Sequence, residues 1–299
     1  MARLVSFGPE FNDWLEEVRQ MMHREVDYRL EAKTTEKFRN MLASDPRFIV
    51  PRVLPEFSTE HVICSTYEHG HSVSSQSVRD LPLDRRSALG KAALELFFRE
   101  LFIWGEIQTD PNFGNYRIRI AGEEGDDPGY DRIVLLDFGA VQSYSDEFLK
   151  PVIQMIKASY ENDLDAVIDG GVKLRFMSTE WPEEVLEKFG QVCMSVLEPL
   201  SSDKDSWPDY AVNSHGQYRW KQSELPSRVA RQAARSAISR YFRVPPKEFV
   251  FLNRKLIGVY TFVAVLNSEF NGEPLLRKYL YGEGDDAPDA SATSQSTKA

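Results

Sequence analysis

The sequence predicts an α+β fold in which a small part with a few short strands precedes a larger, mostly helical part. Short apolar runs bounded by turn-forming residues predict strands at 48–54, 61–67, 116–120 and 132–136. Apolar residues at helical spacing fill most of the chain from residue 146 onward. Apolar residues make up 42% of the 299 positions, which is enough to build a sizeable core.

The first predicted element is one long helix over residues 10–42, in which apolar residues recur every three or four positions. Asp45-Pro46 ends this helix, because proline cannot continue the backbone hydrogen-bond pattern. The strands at 48–54 and 61–67 follow. Glu68-His69-Gly70 is typical of a linker, so a first domain is predicted to end there.

The second part is predicted to begin with a helix over residues 83–105, which is apolar on most faces and therefore buried. The strands at 116–120 and 132–136 are predicted to pair as a hairpin. Further helices are predicted at 146–170, 181–199, 224–241 and 246–270. A polar segment from Gly282 onward predicts a disordered tail. The predicted domains are therefore 1–70, 71–281 and the tail 282–299.

Two polar motifs in the middle of the chain indicate phosphoryl chemistry. Asp110 and Asn115 form an Asp-x-x-x-x-Asn pattern, and Asp137 opens an Asp-Phe-Gly sequence directly after an apolar strand. Mg²⁺ prefers oxygen ligands, so Asn115 and Asp137 are the predicted metal ligands and Asp110 the predicted catalytic base or water-positioning group. The alternative is an ordinary turn at Asp110 and a strand-end cap at Asp137, but a turn alone does not account for the Asp-Phe-Gly sequence.

With these motifs in this order, the predicted fold class becomes protein-kinase-like, with a mostly helical C-lobe and a truncated N-lobe remnant. The surrounding sequence resembles the UbiB family of atypical kinase-like proteins, which includes coenzyme Q-linked members. Three blocks carry the resemblance, and they lie at residues 25–32 (a Glu-x-Asp helix motif), 108–115 and 136–140. A looser likeness extends from about residue 20 to 280 and includes Arg254-Lys255-Leu256-Ile257-Gly258.

The resemblance implies an ATP-binding fold that uses ATP or ADP with Mg²⁺, has ATPase activity, and has little or no protein-kinase activity. It also implies a role in ubiquinone biosynthesis at a membrane, with quinone-biosynthesis proteins and an isoprenoid lipid or membrane surface as partners. The residues expected on the nucleotide side are Glu25, Asp27, Glu31 and Glu68. Which of Glu25 and Glu31 would pair with the family's strand lysine stays open, and Glu25 with Arg29 could instead form a solvated helix pair.

The chain departs from the family pattern at its beginning. It contains no Lys-x-Gly-Gln motif and no lysine before Lys33, so it is expected to correspond to the C-terminal two-thirds of the family domain. The missing cationic groups would neutralise phosphate charge, and such groups contribute on the order of 3 kcal/mol each to a preorganised site. This chain is therefore expected to turn over ATP poorly or not at all.

Charge and cysteine content narrow the function classes further. A net charge of −10 argues against a nucleic-acid partner. The two cysteines, Cys64 and Cys193, fit a reducing compartment. The longest apolar stretch, 256–266, is shorter than the roughly 20 residues that span a bilayer, and no secretory signal is visible. The expected location is the cytoplasm or the mitochondrial matrix, and a peripheral position at a membrane stays open.

Two other functions stay open from the sequence. One is a non-catalytic module that binds a lipid or a protein partner, and the other is a small-molecule phosphotransferase. The Glu-x-Asp helix and the Asp-Phe-Gly sequence count against the phosphotransferase. A basic stripe predicted on one helix is either a solvated face or a surface for anionic lipids, and it comprises Arg228, Arg231 and Arg235, with Arg240 and Arg243 near its end.

Overall fold

The computed structural model describes residues 28–123, 129–237, 241, 243 and 245–282. The chain forms two compact units. The first contains the described residues up to Ser72 together with Gly114–Val141, and the second contains Val73–Phe113 together with the described residues from Gln142 onward. This grouping assigns the hairpin after Gly114 to the first unit, whereas the sequence-based domains assign it to the second.

The first unit combines one helix with a four-stranded sheet. Helix α1 spans Tyr28–Met41, and the strands are β1 (Phe48–Ile49), β2 (His71–Ser72), β4 (Tyr116–Arg119) and β5 (Arg132–Leu135). The sheet order is β1–β5–β4–β2. Strand β1 runs parallel to β5, and β4 runs antiparallel to both β5 and β2. The predicted hairpin of residues 116–120 and 132–136 is confirmed.

Helix α1 packs onto the sheet through Phe38, which is fully buried. The ring of Phe38 lies 4.9 Å from the ring of Phe138, centroid to centroid. On the same helix, Glu36 accepts a 2.7 Å hydrogen bond from the backbone N–H of Val53. These contacts hold α1 beside the segment that follows β5. Residues 10–27 of the predicted long helix lie outside the described residues.

The two strands predicted after α1 form only in part. Strand β1 is limited to Phe48–Ile49, and residues 61–67 contain no strand but meet 52–54 in an irregular pairing. In that pairing Leu54 donates to the carbonyl of Cys64 at 2.8 Å. Pro51 and Pro55 flank this segment, and a proline has no N–H to give to a ladder. The prediction of two regular strands at 48–54 and 61–67 was therefore wrong in extent.

The second unit is mostly helical. Its helices are α2 (Gln76–Arg79), α3 (Leu83–Phe98), α4 (Asp146–Tyr160), α5 (Leu164–Lys173), α6 (Glu183–Ser195), α7 (Leu225–Ala237), α8 (Lys247–Val265) and α9 (Glu273–Tyr281). Helix α3 continues into a π-helical turn, Arg99–Trp104, which ends at Gly105 with a φ of 62°. Strand β3 (Glu106–Gln108) follows, and the last strand, β6, spans Val141–Ser143.

Helices α3 and α8 form the centre of this unit, and both are lined with buried apolar side chains. Arg86 at the start of α3 donates to the carbonyls of Leu266 and Asn267 at 2.7 and 3.0 Å. These carbonyls follow the C-terminal end of α8, where backbone acceptors lack partners within the helix. The guanidinium therefore links the N-terminal end of α3 to the C-terminal end of α8.

The helix predicted over 146–170 is two helices. Asn162 has a φ of 59°, which interrupts the α-helical backbone. The Asp163 side chain then accepts from the backbone N–H of Ala166 at 3.0 Å and caps the N-terminus of α5. Among the described residues, none of the helices has both the length and the apolar character needed to cross a bilayer.

Candidate functional site

In the first unit, the β4–β5 pair brings the predicted metal ligands to the same end of the hairpin. Tyr116 faces Leu135 in the register, and the backbone N–H of Leu136 donates to the carbonyl of Asn115 at 2.9 Å. Asn115 thus lies directly beside the residue that precedes Asp137. Antiparallel pairing explains this, because the start of one strand and the end of the next lie at the same end of the hairpin.

The Asp-Phe-Gly sequence turns immediately after β5. The Asp137 carboxylate accepts from the backbone N–H of Gly139 at 2.9 Å, which is a local turn typical of Asp. A Cβ atom at Gly139 would lie 3.4 Å from Asp137 Oδ1 and 3.5 Å from Glu31 Oε2. The carboxylates of Glu31 and Asp137 therefore both border the small space beside Gly139.

The proximity of these two carboxylates perturbs the titration of Glu31. Burial and then the negative charge of Asp137 raise the pKa of Glu31 from 4.5 to about 7. Two carboxylates close together disfavour one another's charged forms, and a divalent ion would favour those forms. Carboxylate oxygens are ligands that Mg²⁺ uses alongside water and phosphate. Within the described residues there is no cluster of three or more His, Cys, Asp or Glu that could hold a metal without such additional ligands.

The raised pKa of Glu31 predicts a pH-dependent gain of stability on removing its charge. The folded state binds the proton more tightly than the unfolded state, so this group stabilises the fold fully below pH 4.5 and loses that contribution as the pH rises through 7. We expect Glu31→Gln, in metal-free buffer at pH 8, to raise the free energy of unfolding by about 1 kcal/mol after allowance for solvent screening.

The measurement is denaturant unfolding of both proteins at pH 5 and pH 8. The difference between Glu31→Gln and the unchanged protein should be larger at pH 8. Glu56→Gln is a suitable control, because Glu56 is exposed in the same unit. Equal differences at both pH values would contradict the prediction.

In the second unit, Asp110 is held between two elements. Its carboxylate lies 3.2 Å from the guanidinium of Arg254 on α8. The Gln108 side chain accepts from the backbone N–H of Asp110. The Asp110 side chain remains 29% exposed, so it is open to solvent while its position is fixed. This combination suits a group that orients or deprotonates a hydroxyl or a water molecule.

A buried ion pair lies at the base of the same loop. Lys255 Nζ is 3.0 Å from Glu100 Oε2, and the two side chains are only 4% and 2% exposed. Burial raises the pKa of Glu100 above its ordinary value, against the opposing charge of Lys255 and a hydrogen bond from the backbone N–H of Gln108. The ion pair therefore anchors the strand that leads into Asp110.

Helix α8 also contacts the loop through Gly258. A Cβ atom at this position would lie 2.3 Å from Cβ of Pro111, closer than any side chain can be. Arg254 and Gly258 are four residues apart and so lie on one face of α8. One helical turn thus supplies both a charge for Asp110 and the close approach to Pro111.

The remaining predicted nucleotide-side residues have different surroundings. Glu68 forms an ion pair with Arg119 at 2.9 Å and accepts from the Thr66 hydroxyl at 2.9 Å. Glu25 and Asp27 lie outside the described residues. Their roles remain predictions.

The predicted basic stripe is only partly available to a lipid surface. Arg228 forms a two-pronged ion pair with Glu198, at 2.9 and 2.6 Å, so it holds the fold together. Arg231 is exposed. The side chains of Arg235 and Arg240 lie outside the described residues.

Sequence reasoning missed the contributions of Arg254, Lys255 and Gly258 to the Asp110 loop. These residues belong to a segment that was included only in the loose family likeness. Arg254 is separated from Asp110 by 144 positions, and no local pattern in the sequence links the two. The available signal in the sequence was the pair Arg254-Lys255 within a predicted helix that is largely apolar. A lysine on a buried helix needs a partner, because Lys is almost never fully buried unless it is paired.

Comparison with known proteins identifies relatives over most of the chain. The model of the ABC1 atypical kinase-like domain matches residues 1–170. The chain is 28% identical over 270 residues to the atypical kinase coq-8, mitochondrial, of Caenorhabditis elegans, covering 89% of this chain and 33% of that protein. It is 29% identical over 255 residues to the atypical kinase COQ8B, mitochondrial, of Rattus norvegicus, covering 85% and 44%. The chain spans less than half the length of these curated relatives.

A solved structure supports the fold. The complex structure of Rv3197-erythromycin from Mycobacterium tuberculosis is similar with a TM-score of 0.62 at 18% identity, covering 92% of this chain and 63% of that one. At this identity the likeness concerns the fold alone. With the domain match, it confirms the predicted α+β, kinase-like fold class.

Proposed function

The chain belongs to the family of ABC1 atypical kinase-like domains, the UbiB family that its motifs resemble, and on that premise we propose that it binds ATP or ADP with Mg²⁺ and acts on the terminal phosphoryl group. In this proposal Asn115 and Asp137 hold the metal, and Asp110 orients or deprotonates the attacking hydroxyl or water. Phosphoryl transfer requires mainly positioning and charge neutralisation, which such residues provide.

The observation that carries the proposal is the hairpin geometry of the first unit. Asn115 stands at the start of β4, next to the end of β5, and Asp137 follows β5 directly. Glu31 and Asp137 border one small space, where burial and then the charge of Asp137 raise the pKa of Glu31, and a bound cation would favour both charged carboxylates. When bound, Mg²⁺ would supply neutralisation of phosphate charge.

Asp110 has a distinct part in the proposal. The ion pair with Arg254 holds the carboxylate in place, and the hydrogen bond from the backbone N–H of Asp110 to the Gln108 side chain fixes the loop. A partly exposed carboxylate in a fixed position can accept a proton or orient a water molecule. Arg254 is a positioning residue, since it acts through Asp110.

The cellular role is proposed from the relatives. The curated relatives reported above are named mitochondrial atypical kinases. We extend this to a role in isoprenoid-quinone biosynthesis, with quinone-biosynthesis proteins or an isoprenoid lipid at a membrane surface as partners. Poor turnover of ATP by this chain remains a prediction.

The test is thermal or denaturant unfolding of the chain with and without Mg²⁺–ATP. A ligand that binds only the folded state stabilises it by about 2.7 kcal/mol at one hundred times its Kd. We expect Asp137→Asn to abolish this stabilisation, because the variant loses a charged metal ligand. Absence of stabilisation in the unchanged chain, or its persistence in Asp137→Asn, would refute the proposed site.

The matched control is Asp131→Asn. Asp131 precedes β5, at the opposite end of the strand from Asp137, and its side chain accepts from the backbone N–H of Ala121 at 2.9 Å. The asparagine oxygen can keep this bond. This variant makes the same change of charge on the same hairpin, and we expect it to retain nucleotide-dependent stabilisation.

A further inference from the structure

The helical second unit encloses an apolar cavity of about 220 Å³. Its walls come from helices α3, α4, α6, α7 and α8, and representative lining residues are Phe97, Met155, Phe176, Cys193, Val229 and Leu252. None of the residues assigned to the nucleotide or to Asp110 positioning lines it. The cavity is therefore separate from the site proposed above.

The cavity is large for a protein interior. Protein cores pack as densely as organic crystals and contain few voids larger than a water molecule. An engineered apolar cavity of about 150 Å³ stays dry and binds benzene. An apolar cavity of 220 Å³ is thus large enough for an apolar ligand.

Cys193 lies deep in the cavity wall and yet keeps some exposed surface. Burial raises the pKa of the Cys193 thiol to about 12. The Cys193 side chain nevertheless retains some exposed surface. Because Cys193 lines the cavity, the accessible surface is explained by its facing that space.

The lining is apolar apart from Ser159, Asn253 and Arg243. Among the described lining residues, Arg243 is the one with a charged side chain. Ser159 is buried, whereas Arg243 and Asn253 are exposed, so the charged group lies at the mouth of the cavity. The Arg243 guanidinium lies 5.5 Å from the ring centre of Trp181, which orients it.

We propose that this cavity binds a single aliphatic chain that ends in an anionic group. The chain would occupy the apolar interior, and Arg243 would contact the carboxylate or phosphate at the mouth. Such a ligand has two possible sources, a free acid or an anionic membrane lipid. The proposal goes beyond nucleotide binding and does not depend on it.

The binding test uses isothermal titration with dodecanoate below its micelle concentration, and with dodecanol as the uncharged analogue. We expect one saturable site for dodecanoate. Cys193→Phe fills the interior and should weaken binding of both probes at least tenfold. Gln191→Phe is the matched control, because Gln191 is exposed on the same helix, and its binding should be unchanged. Arg243→Ala should weaken dodecanoate about tenfold and leave dodecanol unchanged.

Folding of each variant is checked by unfolding curves, and Cys193→Leu replaces Cys193→Phe if the larger side chain prevents folding. Absence of saturable binding, or full binding by the filled variant, would overturn the proposal and identify the cavity as loose packing. Equal loss of both probes in Arg243→Ala would overturn the assignment of the anionic end.

The source of the ligand is tested by incubating the chain with vesicles of phosphatidylcholine alone or with added lysophosphatidylglycerol, an anionic lipid with one acyl chain, and then recovering the chain for native mass spectrometry. A bound lysophosphatidylglycerol that Cys193→Phe does not carry supports a membrane lipid. Dodecanoate binding without bound lysophosphatidylglycerol supports a free acid. A result in which neither ligand binds would overturn the proposal.

Discussion

Replacing Lys255 with Met is expected to lower the free energy of unfolding by about 3–5 kcal/mol, among the larger effects of any single substitution in the described chain. The ammonium of Lys255 lies 3.0 Å from Glu100, and both side chains are almost wholly buried. Removal of the lysine would leave a carboxylate in an apolar surrounding without its counter-charge. The measurement is denaturant unfolding at pH 7.5.

The loss should depend on pH in a defined direction. Burial already raises the pKa of Glu100, and loss of Lys255 would raise it further. In Lys255→Met the carboxyl would therefore be protonated more readily in the folded state. The stability of the variant should approach that of the unchanged chain as the pH is lowered toward 5.

A double variant separates lost charge from lost packing. Lys255→Met with Glu100→Leu removes both charges and keeps apolar volume, and such replacements are often neutral or stabilising. We expect the double variant to recover most of the stability that the single variant loses. The exposed Lys188→Met serves as control, because its pair with Glu184 lies on the surface and should contribute below about 1 kcal/mol. A small effect of Lys255→Met would show that the pair does not anchor the loop.

The Lys255–Glu100 ion pair also affects the position of Asp110. Glu100 accepts from the backbone N–H of Gln108, and the Gln108 side chain accepts from the backbone N–H of Asp110. The charge on α8 is thus linked to the candidate base through two hydrogen bonds. We expect the double variant to fold well and yet to hold the Asp110 loop less firmly. Faster hydrogen exchange at Asp110, with unchanged exchange in α5, would show this.

The sequence was sufficient for the parts of the site that depend on local pattern. Asp110, Asn115 and Asp137 follow from short motifs, and the hairpin that joins Asn115 to Asp137 follows from two apolar runs with a turn-rich segment between them. Antiparallel pairing of neighbouring strands is a local event, which explains why the hairpin could be anticipated.

The features that the sequence did not predict depend on contacts between distant segments or on single backbone angles. Arg254 reaches Asp110 from α8, and no periodic pattern predicts that contact. The division of the 146–170 helix depends on the positive φ of Asn162 and the cap at Asp163. Helix α9 was missed, because it begins within a Gly-Glu-Pro sequence that is typical of a turn.

The second large effect is expected at Gly258. In an exposed helix interior, Gly→Ala stabilises by about 1 kcal/mol, so the change should be favourable on helix propensity alone. Here the new Cβ would lie 2.3 Å from Cβ of Pro111, which belongs to a rigid ring attached to the backbone. Because the ring cannot rotate away, either α8 or the Asp110–Pro111 loop has to move. We therefore expect Gly258→Ala to be destabilising by about 1–3 kcal/mol.

For the candidate site, the displacement of the Asp110–Pro111 loop matters more than its cost in stability. Arg254 lies one helical turn before Gly258 and contacts Asp110, so a shift at Pro111 pulls against the ion pair. A misplacement of about 1 Å in a catalytic group can reduce turnover about 100-fold. We expect Gly258→Ala to speed hydrogen exchange at residues 108–113, and to lower any residual single-turnover ATP hydrolysis of the chain by a factor of this order.

A second substitution can remove the collision without restoring the glycine. Pro111→Gly deletes the opposing Cβ, so Gly258→Ala with Pro111→Gly should be more stable than the sum of the two single changes predicts. The coupling energy between the two sites measures the collision directly and does not require catalytic activity. Strictly additive effects, or a Gly258→Ala variant more stable than the unchanged chain, would mean that the loop yields at no cost and that α8 does not fix the position of Asp110.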